Sequence, residues 1–256
     1  MFKKRLREID RGEPLLGLKA MDLAYCDVSA KVSNSAFGKG VKVFRNAVVS
    51  ECTLGCNVSV GDDTTVVRSR IGSNVALNRR SYINDSYFGD CSYCGINTTI
   101  NFSRIGKFCS LARNVDIGGF DHDYRKVTTM PRFRLDQITG KKGVATTHDE
   151  FCNIGNDVWV AAGTQILHKA KVEDGAIVGG GAVVTKDIPP YAIAVGVPAK
   201  VIGFRFPQKI IDELLDIRWW DWPQAVIERE TNLLLDEDVN EDVIARMRAV
   251  MKGMAG

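Results

Sequence analysis

Residues 69–106 read SRIGSNVALNRRSYIND, then SYFGDCSYCGINTTINF, then SRIG, a pattern that restarts every 17 residues. An apolar residue followed by glycine recurs at Ile71-Gly72, Phe88-Gly89 and Ile105-Gly106, and the series extends back through Leu54-Gly55 to Phe37-Gly38. Two positions ahead of each apolar residue stands a small polar or thiol side chain: Ser35, Cys52, Ser69, Ser86 and Ser103. Inside each unit the apolar positions are six, six and five apart, as in Ile71, Leu77, Ile83 and then Phe88, Cys94, Ile100. Three inward positions per unit predict three short strands per coil, with coils stacked as parallel strands about 4.8 Å apart and equivalent residues forming interior ladders. A helical solenoid would show a 3.6-residue period with fewer glycines and β-branched residues. The glycine column is expected to supply the positive φ of a tight corner.

The register lapses after Ile117 and returns at Ile154-Gly155, Val160, Ile166, Val172, Val178 and Val184. Between them lies an unpatterned stretch of about 35 residues. Long loops are uncommon in compact folds, so this excursion is read as functional. From Pro207 the spacing of Ile210, Ile211, Leu214 and Leu215 is helical, followed by Trp219, Trp220 and Trp222. The tail is therefore expected to form helices that cap the solenoid, with the tryptophans packed beneath them. The expected organisation is an N-terminal segment over 1–30, a β-helix over 31–204 carrying the loop 118–153, and a helical cap over 205–256.

Composition adds bounds. The 256 residues are 45% apolar and 25% charged with a net charge of +3, an ordinary balance that selects no nucleic-acid or membrane partner. The basic opening Phe2-Lys3-Lys4-Arg5-Leu6-Arg7 is followed by no apolar stretch, so it lacks the layout of a secretory signal. No apolar run reaches the ~18 residues that span a bilayer. Seven cysteines in irregular spacing fit free thiols in a reducing compartment, and a cytoplasmic location is expected. Cys91 and Cys94 form one CxxC, but Cys94 occupies an inward hexad position and no second pair completes a zinc set, so no metal site is assigned.

Three segments carry a resemblance: Ile154-Gly-Asn-Asp-Val-Trp-Val-Ala-Ala-Gly163, Val183-Val-Thr-Lys-Asp-Ile-Pro-Pro-Tyr191 and Val195-Gly-Val-Pro-Ala-Lys-Val-Ile202. They resemble the hexapeptide-repeat acyltransferases, and the tail from Arg205-Phe206 to Trp222-Pro223 is similar to their xenobiotic acetyltransferase branch, which includes chloramphenicol and streptogramin acetyltransferases. The resemblance implies a left-handed winding, a homotrimer, acetyl-CoA as co-substrate, and a catalytic histidine in the excursion loop. His122 matches that position and is assigned as general base, with His148 of the same loop as the alternative; His168 reads as a surface turn residue. A neutral imidazole suits proton abstraction from an attacking hydroxyl. Asp121 and Asp123 flank His122, as ring orienters or as plain loop solvation. Ala162 and Gly180 match backbone contacts to the pantetheine arm, with Thr185, Lys186 and Lys200 near the nucleotide phosphates. A thiol nucleophile at Cys109 has no readable histidine partner, and Gly179–Gly181 lacks phosphate-loop spacing.

The acceptor reading follows from two departures. Five regular units precede the histidine loop, more than in the antibiotic-modifying members, and Phe120-Asp-His-Asp-Tyr124 replaces their usual surroundings of the histidine. A hydroxyl of a sugar or cell-envelope polysaccharide precursor is the expected acceptor. An antibiotic hydroxyl is the alternative. A zinc-dependent carbonic anhydrase is the reading from another class, and the gaps of 26 and 20 residues between the histidines speak against it.

Overall fold

The computed structural model describes residues 23–119, 121–140 and 151–254. Its body is a parallel β-helix with three faces. Face A holds ten strands from Leu23–Cys26 to Lys200–Phe204, face B eight from Lys31–Ser33 to Val183–Val184, and face C seven from Ala36–Phe37 to Lys171–Val172. Every pairing is parallel except the last, where Lys200–Phe204 turns back antiparallel along Ala192–Val195. Among the described residues no helix is long and apolar enough to cross a membrane.

The predicted ladders are present. On face B, Val49, Val66, Ile83, Ile100, Ile117, Ile166 and Val184 stack in register and are all buried to 1% exposure or less. Face C stacks Phe37, Leu54, Ile71, Phe88, Ile105, Ile154 and Val172. Face A contributes Val43, Val60, Leu77, Cys94, Leu111, Val160 and Val178. One inward side chain per strand means each coil closes its core only against the coils above and below.

The polar column has a distinct task at the corner between faces B and C. Ser86 Oγ donates to the Asn84 carbonyl at 2.7 Å and accepts from the Ser103 N–H of the next coil at 3.1 Å. Ser69 repeats the pattern toward Val67 and Ser86, and Cys52 uses its sulfur for the Ser69 N–H. The hydroxyl thus pairs a buried N–H that the strand ladder leaves over.

The glycine column overturns the expected reason for its residue type. Gly55, Gly72, Gly89 and Gly106 do not have positive φ; that conformation falls two residues later, at Asn57, Asn74, Cys91 and Phe108, with φ of 56–58°. Glycine is required because a Cβ on Gly89 would lie 2.5 Å from the backbone of Gly106, and one on Gly106 would lie 2.3 Å from the Gly155 carbonyl oxygen. Coils touch backbone to backbone here.

The tail forms helices Gln208–Ile217, Gln224–Arg229, Thr231–Leu235 and Glu241–Met254 around a second apolar cluster. Its contacts run along the corner between faces C and A. Trp219 packs on Phe108 at 4.8 Å, Lys107 pairs with Asp221 at 2.9 Å, and Arg205 pairs with Asp157 at 2.9 Å. Tyr191 belongs to the tail's cluster although it sits on the last coil. Trp220 and Trp222 are buried in the packing, as their spacing predicts.

Two substitutions separate these constraints. Gly89→Ala should lower stability by about 1–3 kcal/mol through overpacking between coils, and Ser86→Ala by about 1–3 kcal/mol through an unpaired buried N–H. Urea unfolding of the two variants measures both, and a change below about 0.5 kcal/mol in either would remove its explanation.

Candidate active site

The excursion leaves face B at Gly118, whose φ is +85°, followed by Gly119 at +100°. At Gly118 a side chain is excluded outright, since a Cβ would lie 1.9 Å from the Asn101 carbonyl oxygen. The chain returns at Cys152–Ile154, which pairs with Ser103–Ile105 on face C. The loop therefore fills the corner between B and C, where each earlier coil spends only one left-handed residue such as Asp85 or Phe102. Within it, helix Arg132–Thr139 begins after Pro131 and stops at left-handed Gly140. Among its described side chains, the apolar Leu135 and Ile138 are exposed and Asp136 is buried.

His122 is exposed, and its Nδ1 lies 2.6 Å from the Thr129 carbonyl oxygen. A carbonyl accepts only, so the ring donates through Nδ1–H and carries its lone pair on Nε2. That arrangement leaves Nε2 as the acceptor nitrogen of a ring held by the loop's own backbone. Neither flanking carboxylate holds it. Asp123 instead takes the Arg125 backbone N–H at 3.1 Å and its guanidinium at 2.8 Å, which keeps the Asp123 carboxyl below its ordinary range. The orienting group is a backbone oxygen, which carries no side-chain signal in sequence.

The other histidines differ. His168 lies in the turn after Gln165–Leu167, as expected, but it is half-buried, one coil below the loop's exit, and its Nδ1 is buried without a hydrogen-bond partner among the described residues. His148 lies outside the described residues. Cys109 is fully buried, donates to the Gly155 carbonyl at 3.0 Å, and is pushed up to about 12 by burial, so it offers no thiolate.

Ala162 and Gly180 stand one above the other at the corner between faces A and B, where Gly181 N–H donates to the Ala162 carbonyl at 2.9 Å. The hydrogen-bond ladder identifies their column as Arg45, Asp62, Arg79, Ile96 and Arg113 in the coils above. Long side chains thus give way to almost none in the last two coils. Packing does not demand it, because a Cβ on Gly180 would meet only the Ala162 carbonyl oxygen at 3.4 Å. Around this corner the N–H groups of Ala161, Gly163, Gly179 and Gly181 are taken by neighbouring coils, and those of Ala162 and Gly180 carry no bond among the described residues. The corner is stripped to bare backbone with two spare donors.

Face B connects the two corners. Gly118 pairs with Leu167, and Thr185 follows Val184 in the next strand, so the loop's exit and Thr185-Lys186 are about two coil spacings apart, roughly 10 Å. Thr185, Lys186 and Lys200 are exposed. The turn before Lys200 lies against the last strand of face B through Ala199 N–H to the Val183 carbonyl at 2.8 Å. The last strands of face B thus run from the bare corner to the edge where the loop leaves, with Thr185 and Lys186 at the end of the final strand.

Residues 151–186 match the family model for bacterial transferase hexapeptide (six repeats). A chloramphenicol acetyltransferase of Escherichia coli is 35% identical over 143 residues, covering 53% of this chain and 67% of that one. A probable macrolide acetyltransferase of Lysinibacillus sphaericus is 33% identical over 147 residues, covering 55% and 81%. Among solved structures, the polySia-specific acetyltransferase NeuO matches with TM-score 0.39 and 23% identity over 72% of this chain and 88% of that one, too loose to carry an argument.

The tautomer is directly measurable. Nitrogen-15 correlation spectra of the neutral protein should give His122 the Nδ1–H pattern, and an Nε2–H pattern would show that the Thr129 contact does not set the ring.

Proposed function

This chain belongs to the hexapeptide-repeat acyltransferases, in the branch of the chloramphenicol and macrolide acetyltransferases, and from that premise we propose that it acetylates a hydroxyl of a sugar or cell-envelope polysaccharide precursor with His122 as general base. It is an acyl-CoA-dependent O-acetyltransferase. The observation that carries the residue assignment is the 2.6 Å contact of His122 Nδ1 with the Thr129 carbonyl, which leaves Nε2 as the basic nitrogen of an exposed, oriented ring.

In the proposed step, His122 Nε2 takes the acceptor's hydroxyl proton as its oxygen bonds to the thioester carbonyl carbon. The C–S bond then breaks, and the imidazolium returns the proton to the departing sulfur. The spare N–H groups of Ala162 and Gly180 suit the carbonyls of an extended pantetheine arm or the developing oxyanion. The bare corner admits that arm close to the backbone, and Lys186 and Lys200 supply charge for the phosphates, with Thr185 beside them. Direct attack asks for no acyl-enzyme, in keeping with the protonated Cys109.

A polyhydroxylated acceptor is supported by the outward rows of face B above the loop, where Thr65, Tyr82, Thr99, Asn101 and Asp116 offer hydroxyl, amide and carboxyl groups. About half of this chain also lies outside the stretch matched by the chloramphenicol acetyltransferases, which leaves room for a different acceptor surface. The antibiotic reading keeps the same base and donor site.

A homotrimer with the family's left-handed winding is part of the proposal. The outward row of face A carries Tyr93 and Trp159 about half exposed, with Ile177 and Ile193 below them and exposed Val201, Ile202 and Phe204 on the closing strand. Such an apolar strip suits burial between subunits.

Thiol release from acetyl-CoA should fall about 10²–10⁴-fold in His122→Ala, with the acceptor found in a panel of envelope sugars, nucleotide sugars and antibiotics. In Gly180→Val and Lys186→Ala the expected change is a rise in KM for acetyl-CoA with unfolding temperature unaltered. Undiminished turnover in His122→Ala would end its role and move attention to His148. Sedimentation should give about three times the 28.2 kDa chain mass, reduced by Trp159→Glu; a monomer with full activity would exclude a shared site.

A further inference from the structure

The corner between faces A and B changes its charge along its length. At the upper end charges cancel: Arg45 pairs with Asp62 at 3.4 Å, and Asp63 takes the Asn46 side-chain amide at 3.0 Å. One coil lower, Arg79 and Arg80 occupy the two outermost corner positions, and Arg113 lies in the Arg79 column two coils further down, about 10 Å away. From there to Gly181 neither column holds a carboxylate. Arg79 and Arg113 make no side-chain hydrogen bond or ion pair among the described residues. Arg80 Nε donates to the Asn97 amide oxygen at 2.9 Å, a neutral partner that leaves its charge uncancelled. Asp116, the carboxylate on the adjoining row of face B, pairs with none of the three.

The coil holds these like charges side by side, and a bound anion would offset their repulsion. Packing does not ask for them, since the same column takes Ile96 between Arg79 and Arg113. A guanidinium presents a planar fork of donors that matches a carboxylate. Neutral hydrogen-bonding groups stand among the three: Asn97 and Asn114 are joined through their side-chain amides at 3.2 Å, and Tyr82 and Thr99 begin the neighbouring strands of face B. Tyr82 is 42% exposed, which leaves its ring open to an apolar sugar face and its hydroxyl to a polar one. Repeated cations separated by amides and hydroxyls fit a hydroxylated chain that carries acid groups. Arg113 is one coil above Ala162, through Gly163 N–H to the Arg113 carbonyl at 3.1 Å, so the cations continue the bare corner on the side away from Gly180.

We propose that this stretch of the corner binds a carboxylated saccharide, whose acid groups are held by Arg79, Arg80 and Arg113, and that the acetyl acceptor is of that class rather than a neutral sugar. Its standing as the acceptor rests on Ala162 and Gly180 serving the acetyl donor. The saccharide lies along the corner parallel to the solenoid axis, with its rings against Tyr82 and Thr99.

The test uses the full chain with tetragalacturonate and its uncharged methyl ester as probes, read by titration calorimetry without acetyl-CoA. The acid should bind about tenfold or more tightly than the ester, and the doubly substituted Arg79→Gln/Arg113→Gln should lose about tenfold or more of that affinity, the effect of charged hydrogen bonds. Its unfolding temperature should not change, because both side chains are exposed. Equal affinity for acid and ester, or unchanged binding in the double variant, would overturn the proposal. So would displacement by an equal concentration of inorganic phosphate, which marks a simple anion site, or tighter binding of a thymidine tetranucleotide. Weaker binding of coenzyme A in the double variant with tetragalacturonate unaffected would assign the arginines to the donor instead. Tetragalacturonate binding should persist in His122→Ala, so failure of this site and failure of the acetyl-transfer reading give different results.

Discussion

Backbone-to-backbone contact between successive coils at the corner of faces C and A governs this molecule. With one inward side chain per strand, a coil has no core of its own, and it is held by hydrogen bonds to the coils on either side. Those bonds require a spacing of about 4.8 Å, which leaves no room for a Cβ where the polypeptide turns across its neighbour at Gly55, Gly72, Gly89 and Gly106. The buried serine column meets the companion demand, by pairing the N–H groups that the same geometry takes away from water at the next corner.

A scaffold this repetitive makes its exceptions informative. The chain departs from it through Gly118 and Gly119, and the excursion carries a histidine whose ring is fixed by a carbonyl only seven residues away. The ring is thus oriented locally, while the loop's position is set by the strands before and after it. At the opposite edge of face B, the column that holds Arg45, Arg79 and Arg113 ends in Ala162 and Gly180, and an added Cβ on Gly180 would meet only a carbonyl oxygen at 3.4 Å. Small residues imposed by packing and small residues free of that constraint are therefore distinguishable by what an added Cβ would strike.

The helical tail shows a different economy. It is anchored to three coils by Phe108, Asp157 and Tyr191, yet it leaves a cavity at that seam. Arg205 bridges the two parts, since it pairs with a solenoid carboxylate while stacking on the first aromatic residue of the tail.

The amino-acid sequence by itself determined the coil, its three faces and which residue of each hexad points inward, because a 17-residue period leaves one arrangement that buries Ile71, Leu77 and Ile83 together. It also marked the excursion, as a lapse of that period around His122, and the helical tail with its buried tryptophans. It misassigned the glycine column, since the distance to the next coil is a property of stacking that no single unit contains. The Thr129 carbonyl, the half-burial of His168 and the meeting of Tyr191 with Arg205 were decided by tertiary structure alone. Backbone atoms carry no residue signature, and contacts between different coils depend on how the chain is wound.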